Sequence, residues 1–420
     1  MSLKNLKKIL YFTIAGYFRF FASIKLLNWK PKIIVITGSN AKTTTLHLIE
    51  AQLGKSARYS HRANSAFGVA FDILGLSRRT LLRGEWVFLF LAAPLKTFSG
   101  IPVEKIYVVE ADCDRPKEGK FLATLLKPEV TIWLSSSRTH SENFDPLVSR
   151  RKFESVEKAI AYEFGWFLEY TSALAITNGD DPLILEQLNR TKVPVKKINR
   201  GVLQYRVNKD RTYFRANGKE YSLNVLLPEV AFYSLAAVEE FISYVKGKFD
   251  PTFPNLTLPP GRSSVLVGIR ETTLVDSTYN SSLASMGIVI DMFNKLEGKK
   301  WVVLGDLIEL GEEESEEHTI LAEKIAGCDF EKIILAGPRI VEYTHPKLKS
   351  LGIHNIVTFS KTLEVLDYLK QNLKGKEVLL FKGAGFLEGV VEGLLQNKSD
   401  AQKLCRREKI WQIRRKQWGF

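Results

Sequence analysis

The 420-residue chain is long enough for two or three domains, and its 45% hydrophobic content is typical of a globular protein with buried cores. Lysine and arginine outnumber aspartate and glutamate by 60 to 46, and the net charge of +14 favours an anionic partner. Nucleotide phosphates, a phosphorylated substrate, nucleic acid and an anionic membrane face all qualify, although no recognised nucleic-acid-binding module appears. The three cysteines are far apart, which argues against a disulfide framework or a zinc site and fits a reducing cytoplasm.

Residues 1–28 are basic and aromatic and predict one amphipathic helix. The apolar run from Ile9 to Phe18 is too short to span a bilayer, and no convincing cleavage site follows it. Such a helix either packs on the next domain or lies on an anionic membrane. We therefore expect a cytoplasmic protein, with peripheral contact at the inner face of the membrane as the alternative for this helix.

Apolar runs that alternate with helical patterns predict a mainly parallel α/β sheet in the following part of the chain. The predicted strands are Ile33–Ile36, Trp86–Leu91, Ile106–Glu110, Val130–Leu134 and Leu174–Thr177. A helix begins near Thr43, residues 192–224 predict short strands and turns, and another helix covers Glu229–Val245.

A proline-rich stretch at Pro251–Pro260 marks a domain boundary. Beyond it, a second doubly wound α/β pattern has predicted strands at Thr272–Val275, Trp301–Leu304, Lys332–Leu335 and Val378–Phe381. The predicted order is an N-terminal helix (1–28), a central P-loop-type ATPase domain (29–250), a C-terminal Rossmann-like domain (251–398) and a basic tail (399–420). The tail is expected to form a surface helix whose charges are a solvated face.

The strongest local signal reads TGSNAKTTT over residues 37–45, a strand that runs through a tight turn into a helix. Backbone N–H groups at such a turn bind phosphate oxygens, Lys42 reaches the terminal phosphates, and the Thr43 hydroxyl can ligate Mg²⁺. The match to the ordinary P-loop is degenerate, because Ile36 and Ala41 stand where that loop has glycines. A strand-to-helix turn with a solvated lysine is therefore the competing interpretation.

Three further residues have a chemical and a plain interpretation. Glu110 ends an apolar strand, where an unpaired buried carboxylate is rarely tolerated, so a function is favoured. His140 lies in a polar loop, where a lone histidine is more often solvated. Asp276 follows a strand, a position that binds ligands in α/β sheets but also caps helices.

Several segments occur in the order found in the Mur ligases and resemble that family's motifs from residue 32 to residue 395. The central domain contributes TGSNAKTTT, NSAFGV at 64–69, YVVEA at 107–111, SRTHSENF at 137–144 and NGDDP at 178–182. The second domain contributes PGR at 260–262, DSTYN at 276–280, VLGDLIELGE at 303–312 with His318, and KGA at 382–384. The second set is similar to the branch that adds D-alanyl-D-alanine to a muramoyl-tripeptide.

The resemblance implies an ATP- and Mg²⁺-dependent ligase that forms an amide bond through an acyl phosphate in peptidoglycan precursor synthesis. Lys42, Glu110 and His140 would be catalytic, and Thr43, Glu110 and His140 would bind the metal. The implied ATP-binding residues are Gly38, Ser39, Asn40, Ala41, Lys42, Thr43, Thr44, Arg262, Asp276, Tyr279 and Asn280. The implied substrate-binding residues are Asn64, Ser65 and Lys382. The implied partners are a muramoyl-peptide or related cell-wall precursor and an amine donor, D-alanyl-D-alanine, and no nucleic acid.

The sequence departs from the family in three places. Only about thirty residues precede the phosphate loop, where these ligases carry a UDP-binding domain, so a lipid-linked precursor is one hypothesis for the substrate. Phe164 occupies the position of the family's carbamylated lysine, and residues 229–233 replace its adenine-contacting segment. A non-catalytic, nucleotide-binding relative and a folylpolyglutamate-type ligase therefore remain as alternatives.

Overall fold

The computed structural model describes residues 3–61, 63–78 and 84–417, which divide into two units. The first unit comprises Met1–Ser137, Asn143–Arg200 and Tyr233–Asp250, and the second comprises Arg138–Glu142, Gly201–Phe232 and Pro251–Phe420. The predicted central domain, 29–250, thus differs from the first unit chiefly in Gly201–Phe232, which groups with the second unit.

Buried apolar runs form the central strands of the sheet of the first unit, and its two edge strands are partly exposed. Its strands are β1 (Lys32–Thr37), β2 (Arg58–Tyr59), β3 (Ile106–Ala111), β4 (Val130–Trp133), β5 (Leu174–Asn178) and β6 (Val195–Ile198). Its helices are α1 (Leu3–Trp29), α2 (Lys42–Leu53), α3 (Ala66–Leu74), α4 (Glu85–Phe98), α5 (Glu118–Leu126), α6 (Asp145–Ser149), α7 (Val156–Glu169), α8 (Pro182–Leu185) and α9 (Ala231–Tyr244).

The six strands are parallel and lie in the order β2-β3-β1-β4-β5-β6. After β1 the chain forms β2 and β3 on one side of β1, and it then crosses to form β4 on the other side of β1. Ligands bind at the carboxyl ends of the strands where an open α/β sheet reverses its strand order. The turn after Thr37, which leads from β1 into α2, lies at this point.

Helix α1 packs one face into the core of the first unit. Its buried residues recur every three or four positions, as an amphipathic helix requires, and they are Ala15, Phe18, Ala22, Leu26 and Trp29. The helix is longer than the apolar run from Ile9 to Phe18 suggested, and Leu10–Trp29 is long and apolar enough to cross a membrane by length and composition. Core helices of soluble proteins pass the same test, so this is weak evidence.

The strands predicted in the first unit are present except one. Residues 86–91 lie in helix α4 rather than in a strand, so that prediction is wrong. The reason is that α4 is apolar on all sides over this stretch, and a short continuous apolar run does not separate a buried strand from an apolar helix.

The second unit contains a three-stranded antiparallel sheet and a larger mixed sheet. The small sheet is formed by β7 (Gln204–Val207), β8 (Thr212–Ala216) and β9 (Lys219–Leu223). The large sheet is formed by β10 (Ser264–Val267), β11 (Thr273–Asp276), β12 (Lys300–Gly305), β13 (Lys332–Ala336), β14 (Ile356–Phe359) and β15 (Val378–Lys382). The helices are α10 (Leu283–Asn294), α11 (Glu314–Ala326), α12 (His345–Ser350), α13 (Thr362–Asn372), α14 (Leu387–Leu394) and α15 (Lys409–Gln417).

The large sheet has the order β10-β11-β15-β12-β13-β14, and all its pairs except β10 with β11 are parallel. Alternate residues of one strand enter two separate cores, as the pleat demands: Val302 and Leu304 face one core, Trp301 and Val303 the other. Helices therefore cover both faces of the sheet, and the predicted Rossmann-like layout is confirmed.

The basic tail forms the predicted helix, α15, although residues 418–420 lie outside the described part of the chain. The expected solvated face is wrong for three of its four arginines, while Arg414 is exposed. Arg406 Nη1 lies 3.1 Å from Glu388 Oε2, and Arg407 Nη1 lies 2.9 Å from Glu392 Oε2. Arg415 also pairs with Glu392, so the tail is anchored to α14 by ion pairs.

Candidate active site

The turn between β1 and α2 has a backbone that only small residues tolerate. Gly38 has a φ of 120°, and a Cβ at this position would lie 2.6 Å from the carbonyl oxygen of Ser135. Ala41 has a φ of 68°, in the left-handed region that favours glycine. A glycine would adopt this conformation without strain, whereas alanine adopts it here at a cost.

A loop of three serines, Ser135–Ser137, fixes the turn from the end of β4. Ser135 Oγ accepts a hydrogen bond from the Asn40 amide at 2.8 Å and donates one to the Asn40 carbonyl at 2.9 Å. Ser39 Oγ donates to the Ser137 carbonyl at 2.7 Å. Asp181 in turn accepts a hydrogen bond from the Ser136 amide at 2.8 Å, so residues of two neighbouring strand ends hold the turn in place.

The sequence interpretation missed the roles of the Ser135 side chain and of the Ser136 backbone amide in holding this turn. The signal was available, because three consecutive hydroxyl side chains directly follow a buried strand at the binding edge of a parallel sheet.

Lys42 is almost fully buried at the start of α2. Its ammonium group donates to the Gly38 carbonyl at 2.5 Å and lies 2.7 Å from Asp112 Oδ2. The competing interpretation of a solvated lysine is therefore wrong. Asp112, two residues after Glu110, is a second residue that the sequence interpretation missed. It holds the lysine charge next to the phosphate loop.

The first N–H groups of α2, at Lys42, Thr43 and Thr44, have no intrahelical acceptor because of their place in the helix. A helix N-terminus that follows a tight turn attracts phosphate through these N–H groups and through the helix dipole. The start of α2 thus offers backbone donors beside a buried lysine, whereas the amides of Ser39 and Asn40 already donate to Ser135. The phosphate contacts predicted for Gly38 to Thr44 stay a prediction.

Glu110 and Thr43 lie together at the carboxyl end of β3. Thr43 Oγ1 donates to Glu110 Oε2 at 3.1 Å, and the carboxylate is buried. Carboxylate and hydroxyl oxygens are the hard ligands that Mg²⁺ prefers, usually together with phosphate oxygens and water. The donor set therefore fits the expected magnesium ion.

Asn64 and Ser65 lie beside this group. The Asn64 carbonyl accepts a hydrogen bond from the Asp112 amide at 2.7 Å, while Ser65 Oγ accepts from the Gly68 amide at 3.2 Å and caps α3. The cap gives Ser65 a structural role, and the substrate contacts predicted for both residues stay a prediction.

Phe164, at the position of the family's carbamylated lysine, is fully buried, with its ring centroid 5.9 Å from that of Trp133. It supplies no polar atom to the site. The preceding residue, Glu163, accepts hydrogen bonds from the amides of Lys117 at 2.7 Å and Gly119 at 3.1 Å. Burial raises the pKa of Glu163, and these two amides oppose that shift.

The segment aligned with the family's adenine-contacting motif offers a tyrosine instead. Tyr233 donates its hydroxyl to Asp180 Oδ2 at 2.7 Å, and Asp180 also accepts from Asn199 Nδ2 at 2.9 Å. Asp180 and Asp181, which belong to one sequence motif, thus have different partners. Asp180 binds Tyr233 and Asn199, whereas Asp181 binds the serine loop.

In the second unit, Lys382 lies at the end of β15, beside the end of β11. Its ammonium group donates to the Asn280 carbonyl at 3.0 Å. Burial lowers the pKa of Lys382 to about 7, and the nearby charge of Arg262 adds to the effect. The Arg262 guanidinium lies 4.5 Å from the centroid of the Tyr279 ring. The structure therefore brings together the predicted residues of this unit.

Asp276 completes this second set. Its Oδ1 accepts hydrogen bonds from the Thr278 amide at 3.1 Å and hydroxyl at 2.7 Å. Among the described residues, its buried Oδ2 has no hydrogen-bond partner. Burial raises the pKa of this carboxyl. An unsatisfied buried oxygen is costly, and it is a common feature of binding sites.

His140 belongs to the second unit, where its Nδ1 lies 2.6 Å from Glu309 Oε2. Its backbone has a φ of 52°, so the loop is in a left-handed conformation at this residue. The metal-binding and catalytic roles predicted for His140 stay predictions.

Comparison with known proteins places this geometry in context, although no family profile matches the chain. The UDP-N-acetylmuramoyl-tripeptide–D-alanyl-D-alanine ligase of Borreliella burgdorferi is 24% identical over 371 residues, 84% of this chain and 72% of that protein. The enzyme of the same name from Bacillus subtilis is 24% identical over 380 residues, 87% of this chain and 76% of that protein.

The solved structures that resemble this chain include ligases of the same class. The MurF ligase of Thermotoga maritima in complex with ADP superimposes with a TM-score of 0.71 at 21% identity, covering 93% of this chain and 84% of that one. A MurF of Acinetobacter baumannii also gives a TM-score of 0.71, at 17% identity, covering 92% of this chain and 81% of that one.

The chain therefore has the fold of the Mur ligases, and the predicted fold class and resemblance are confirmed. The curated relatives named above are all the enzyme that adds D-alanyl-D-alanine, the branch that the motifs of the second domain indicated.

Proposed function

We propose that the protein is an ATP-dependent Mur-type ligase that forms an amide bond in peptidoglycan precursor synthesis. The observation that carries the proposal is the group formed by Lys42, Thr43 and Glu110 at the strand end beside the phosphate loop. A buried lysine, a helix N-terminus and a pair of magnesium-type oxygen ligands are what transfer of the ATP γ-phosphoryl group requires.

The reaction has two steps. A substrate carboxylate attacks the γ-phosphorus, ADP leaves, and an acyl phosphate forms. The amine then attacks the acyl carbon, loses a proton, and expels inorganic phosphate to leave the amide. When bound to Thr43 and Glu110, Mg²⁺ would supply positive charge to the phosphate oxygens.

Lys42 supplies positive charge to the β- and γ-phosphate oxygens. To reach them, its ammonium group moves away from Asp112, with which it pairs in this structure. The backbone donors at the start of α2 orient the triphosphate. The nucleotide contacts of Arg262, Asp276, Tyr279 and Asn280, and the substrate contact of Lys382, belong to the proposal as well.

The substrates that the relatives' names give are a UDP-muramoyl-tripeptide and D-alanyl-D-alanine, and we propose the same amine donor with a muramoyl-peptide or related precursor here. The proposed location is the cytoplasm, and the peripheral membrane contact of residues 1–28 stays a prediction.

The decisive experiment measures phosphate release from ATP and Mg²⁺, with and without UDP-muramoyl-tripeptide and D-alanyl-D-alanine. Lys42→Ala is the test variant and Lys55→Ala, an exposed lysine just beyond the other end of the same helix, is its matched control. We expect release that needs both substrates, is lost in Lys42→Ala and is retained in Lys55→Ala.

ATP binding without release, under any acceptor tried, would instead favour the non-catalytic relative, for which Phe164 and Ala41 are the supporting observations. Release with a folate and glutamate would favour the folylpolyglutamate-type alternative.

A further inference from the structure

Helix α4 has two apolar faces, and only one of them is packed. Leu89, Ala93 and Thr97, spaced four residues apart, are fully buried against the rest of the first unit. The opposite face carries five large side chains that are between 63% and 74% exposed, namely Val87, Phe88, Leu91, Leu95 and Phe98. These five residues define what we call the α4 apolar face.

A helix that is apolar on all sides is normally buried in a core or in a membrane, because water is excluded from both. Scattered exposed leucines are ordinary, but five large residues within one arc of a 14-residue helix form a contiguous patch of the kind that marks an interaction surface. The α4 apolar face therefore lacks a partner among the described residues.

Other exposed apolar residues lie in elements next to α4 in the chain or packed on it. Ile101 and Val103 in the following loop are also exposed, and Val103 is 83% exposed. Beside α4, helix α1 exposes Phe20 and Leu27, which point away from its buried stripe. Exposed apolar residues thus also occur on the loop after α4 and on α1.

The surface rests on a rigid base. Tyr17 of α1 donates its hydroxyl to the Phe90 carbonyl at 2.8 Å, and their rings are 4.9 Å apart. The buried ammonium group of Lys25 donates to the carbonyls of Lys96 at 3.0 Å and Ser99 at 2.9 Å, at the C-terminal end of α4. These bonds hold α4 against α1, so exposure of the patch does not reflect a detached helix.

Charge identifies the chemistry of the partner. Residues 1–31 contain six lysines and arginines and no acidic residue, and residues 77–103 contain four and only Glu85. The two sequence segments that contain α1 and α4 are therefore strongly cationic, and of these charges Lys25 is buried against backbone carbonyls. An apolar helix face with flanking basic residues is the combination that binds the interface of an anionic bilayer, where apolar groups enter the headgroup region and cations meet lipid phosphates.

We propose that the α4 apolar face docks on an anionic lipid bilayer. A second copy of the chain fits less well, because a symmetric contact through this face would bring two cationic segments together. The proposal places membrane contact on α4, whereas α1 uses its apolar stripe to pack in the core. It does not depend on the proposed ligase activity.

The test compares full-length variants in vesicle sedimentation, with vesicles of equimolar phosphatidylglycerol and phosphatidylcholine and with vesicles of phosphatidylcholine alone. Leu91→Glu/Leu95→Glu changes two exposed positions of the face, so the fold should persist, which circular dichroism checks. Val202→Glu/Leu351→Glu, at exposed apolar positions of the second unit, adds the same charge elsewhere.

We expect the wild type and the control variant to sediment with the anionic vesicles and less with the neutral ones. Leu91→Glu/Leu95→Glu should lose about tenfold or more in partition, since two apolar anchors are replaced by charges that the lipid phosphates repel. Equal sedimentation of the two double variants, or no binding by the wild type, would overturn the proposal. So would a wild-type dimer in light scattering that only the α4 variant dissociates.

The outcome is separable from the ligase proposal. The α4 variant should retain ATP turnover with a water-soluble acceptor, because none of the substituted residues lies in the phosphate loop or beside Glu110. Loss of vesicle binding with intact turnover therefore supports the docking face alone, and absence of turnover in the wild type leaves the vesicle result unaffected.

Discussion

Glu118 gives a quantitative test of the interior of the first unit. The carboxylate is fully buried at the start of α5, where Oε1 accepts the Tyr11 hydroxyl at 2.9 Å and the Ala66 amide at 2.8 Å. It thereby joins α1, α3 and α5. Arg115 Nε lies 3.4 Å from Oε2. Burial raises the pKa of Glu118 from 4.5 to about 7, and repulsion from Asp114 adds to the shift.

The direction of the pH effect follows from the two pKa values. The folded protein binds the proton of the Glu118 carboxyl more tightly than the unfolded chain does. The contribution of this protonated carboxyl to folding stability is therefore complete below about pH 4.5 and is lost as the pH rises through about 7. The difference between about 7 and 4.5 corresponds to a penalty of roughly 3 kcal/mol above pH 7.

We expect Glu118→Gln to remove this penalty. The amide oxygen still accepts from Tyr11 and Ala66, but the side chain carries no buried charge. The free energy of unfolding should rise by about 1–3 kcal/mol at about pH 8, where the loss of the Arg115 ion pair offsets part of the gain. It should change little near pH 4.5. Urea unfolding followed by circular dichroism at both pH values measures the effect.

Glu297→Gln, which removes an exposed carboxylate, is the matched control and should show no such pH dependence. If Glu118→Gln were less stable than the wild type at about pH 8, the carboxylate would be ionised and stabilised by Arg115. The reasoning from burial would then be wrong.

Three further predictions concern the two predicted sites. Ala41→Gly should raise the free energy of unfolding by up to about 1 kcal/mol, because it removes the strain of an alanine in the left-handed region. The greater conformational entropy of glycine in the unfolded chain offsets part of this gain. A lower free energy of unfolding, measured with urea, would contradict this. Ser135→Ala should weaken ADP binding in calorimetry and cost about 1–2 kcal/mol of stability through two lost hydrogen bonds to Asn40. Ser136→Ala is its control, since the buried Ser136 hydroxyl has no partner in the described structure, and equal effects of the two would refute the role of Ser135. Lys382→Met should raise the Tm at about pH 7, and raise it by less at about pH 10. The pKa of Lys382 is about 7 in the folded protein and 10.5 in the unfolded chain, so the destabilisation that the buried lysine causes grows as the pH falls from 10.5 to about 7. A lower Tm at about pH 7 would contradict it, and the proposed substrate role also requires a loss of turnover.

Local sequence patterns were sufficient for most of the fold. The strands at Ile33–Ile36, Ile106–Glu110 and Trp301–Leu304 are runs of β-branched and apolar residues bounded by polar turns, so both their type and their approximate ends follow from the sequence. The tight turn between β1 and α2 was also predictable, because the residues that form it are consecutive in the chain. Its phosphate-binding role stays a prediction.

The strand wrongly predicted over residues 86–91 shows where such patterns fail. The run WVFLFL has no helical period, because both faces of α4 are apolar. The second apolar face of α4, which made the helix look like a strand in the sequence, is also the face proposed to contact the membrane.

By itself, the sequence determined most of the order of strands and helices, the tight turn between β1 and α2, and the resemblance to the Mur ligases, since all three depend on neighbouring residues. Only the tertiary structure decided that Lys42 pairs with Asp112, that the serine loop clamps Asn40, and that Lys382 lies beside Asp276. Each of these contacts joins residues that lie at or after the carboxyl ends of different strands. They meet because parallel strands bring their carboxyl ends to one edge, a spatial relation that no local pattern encodes.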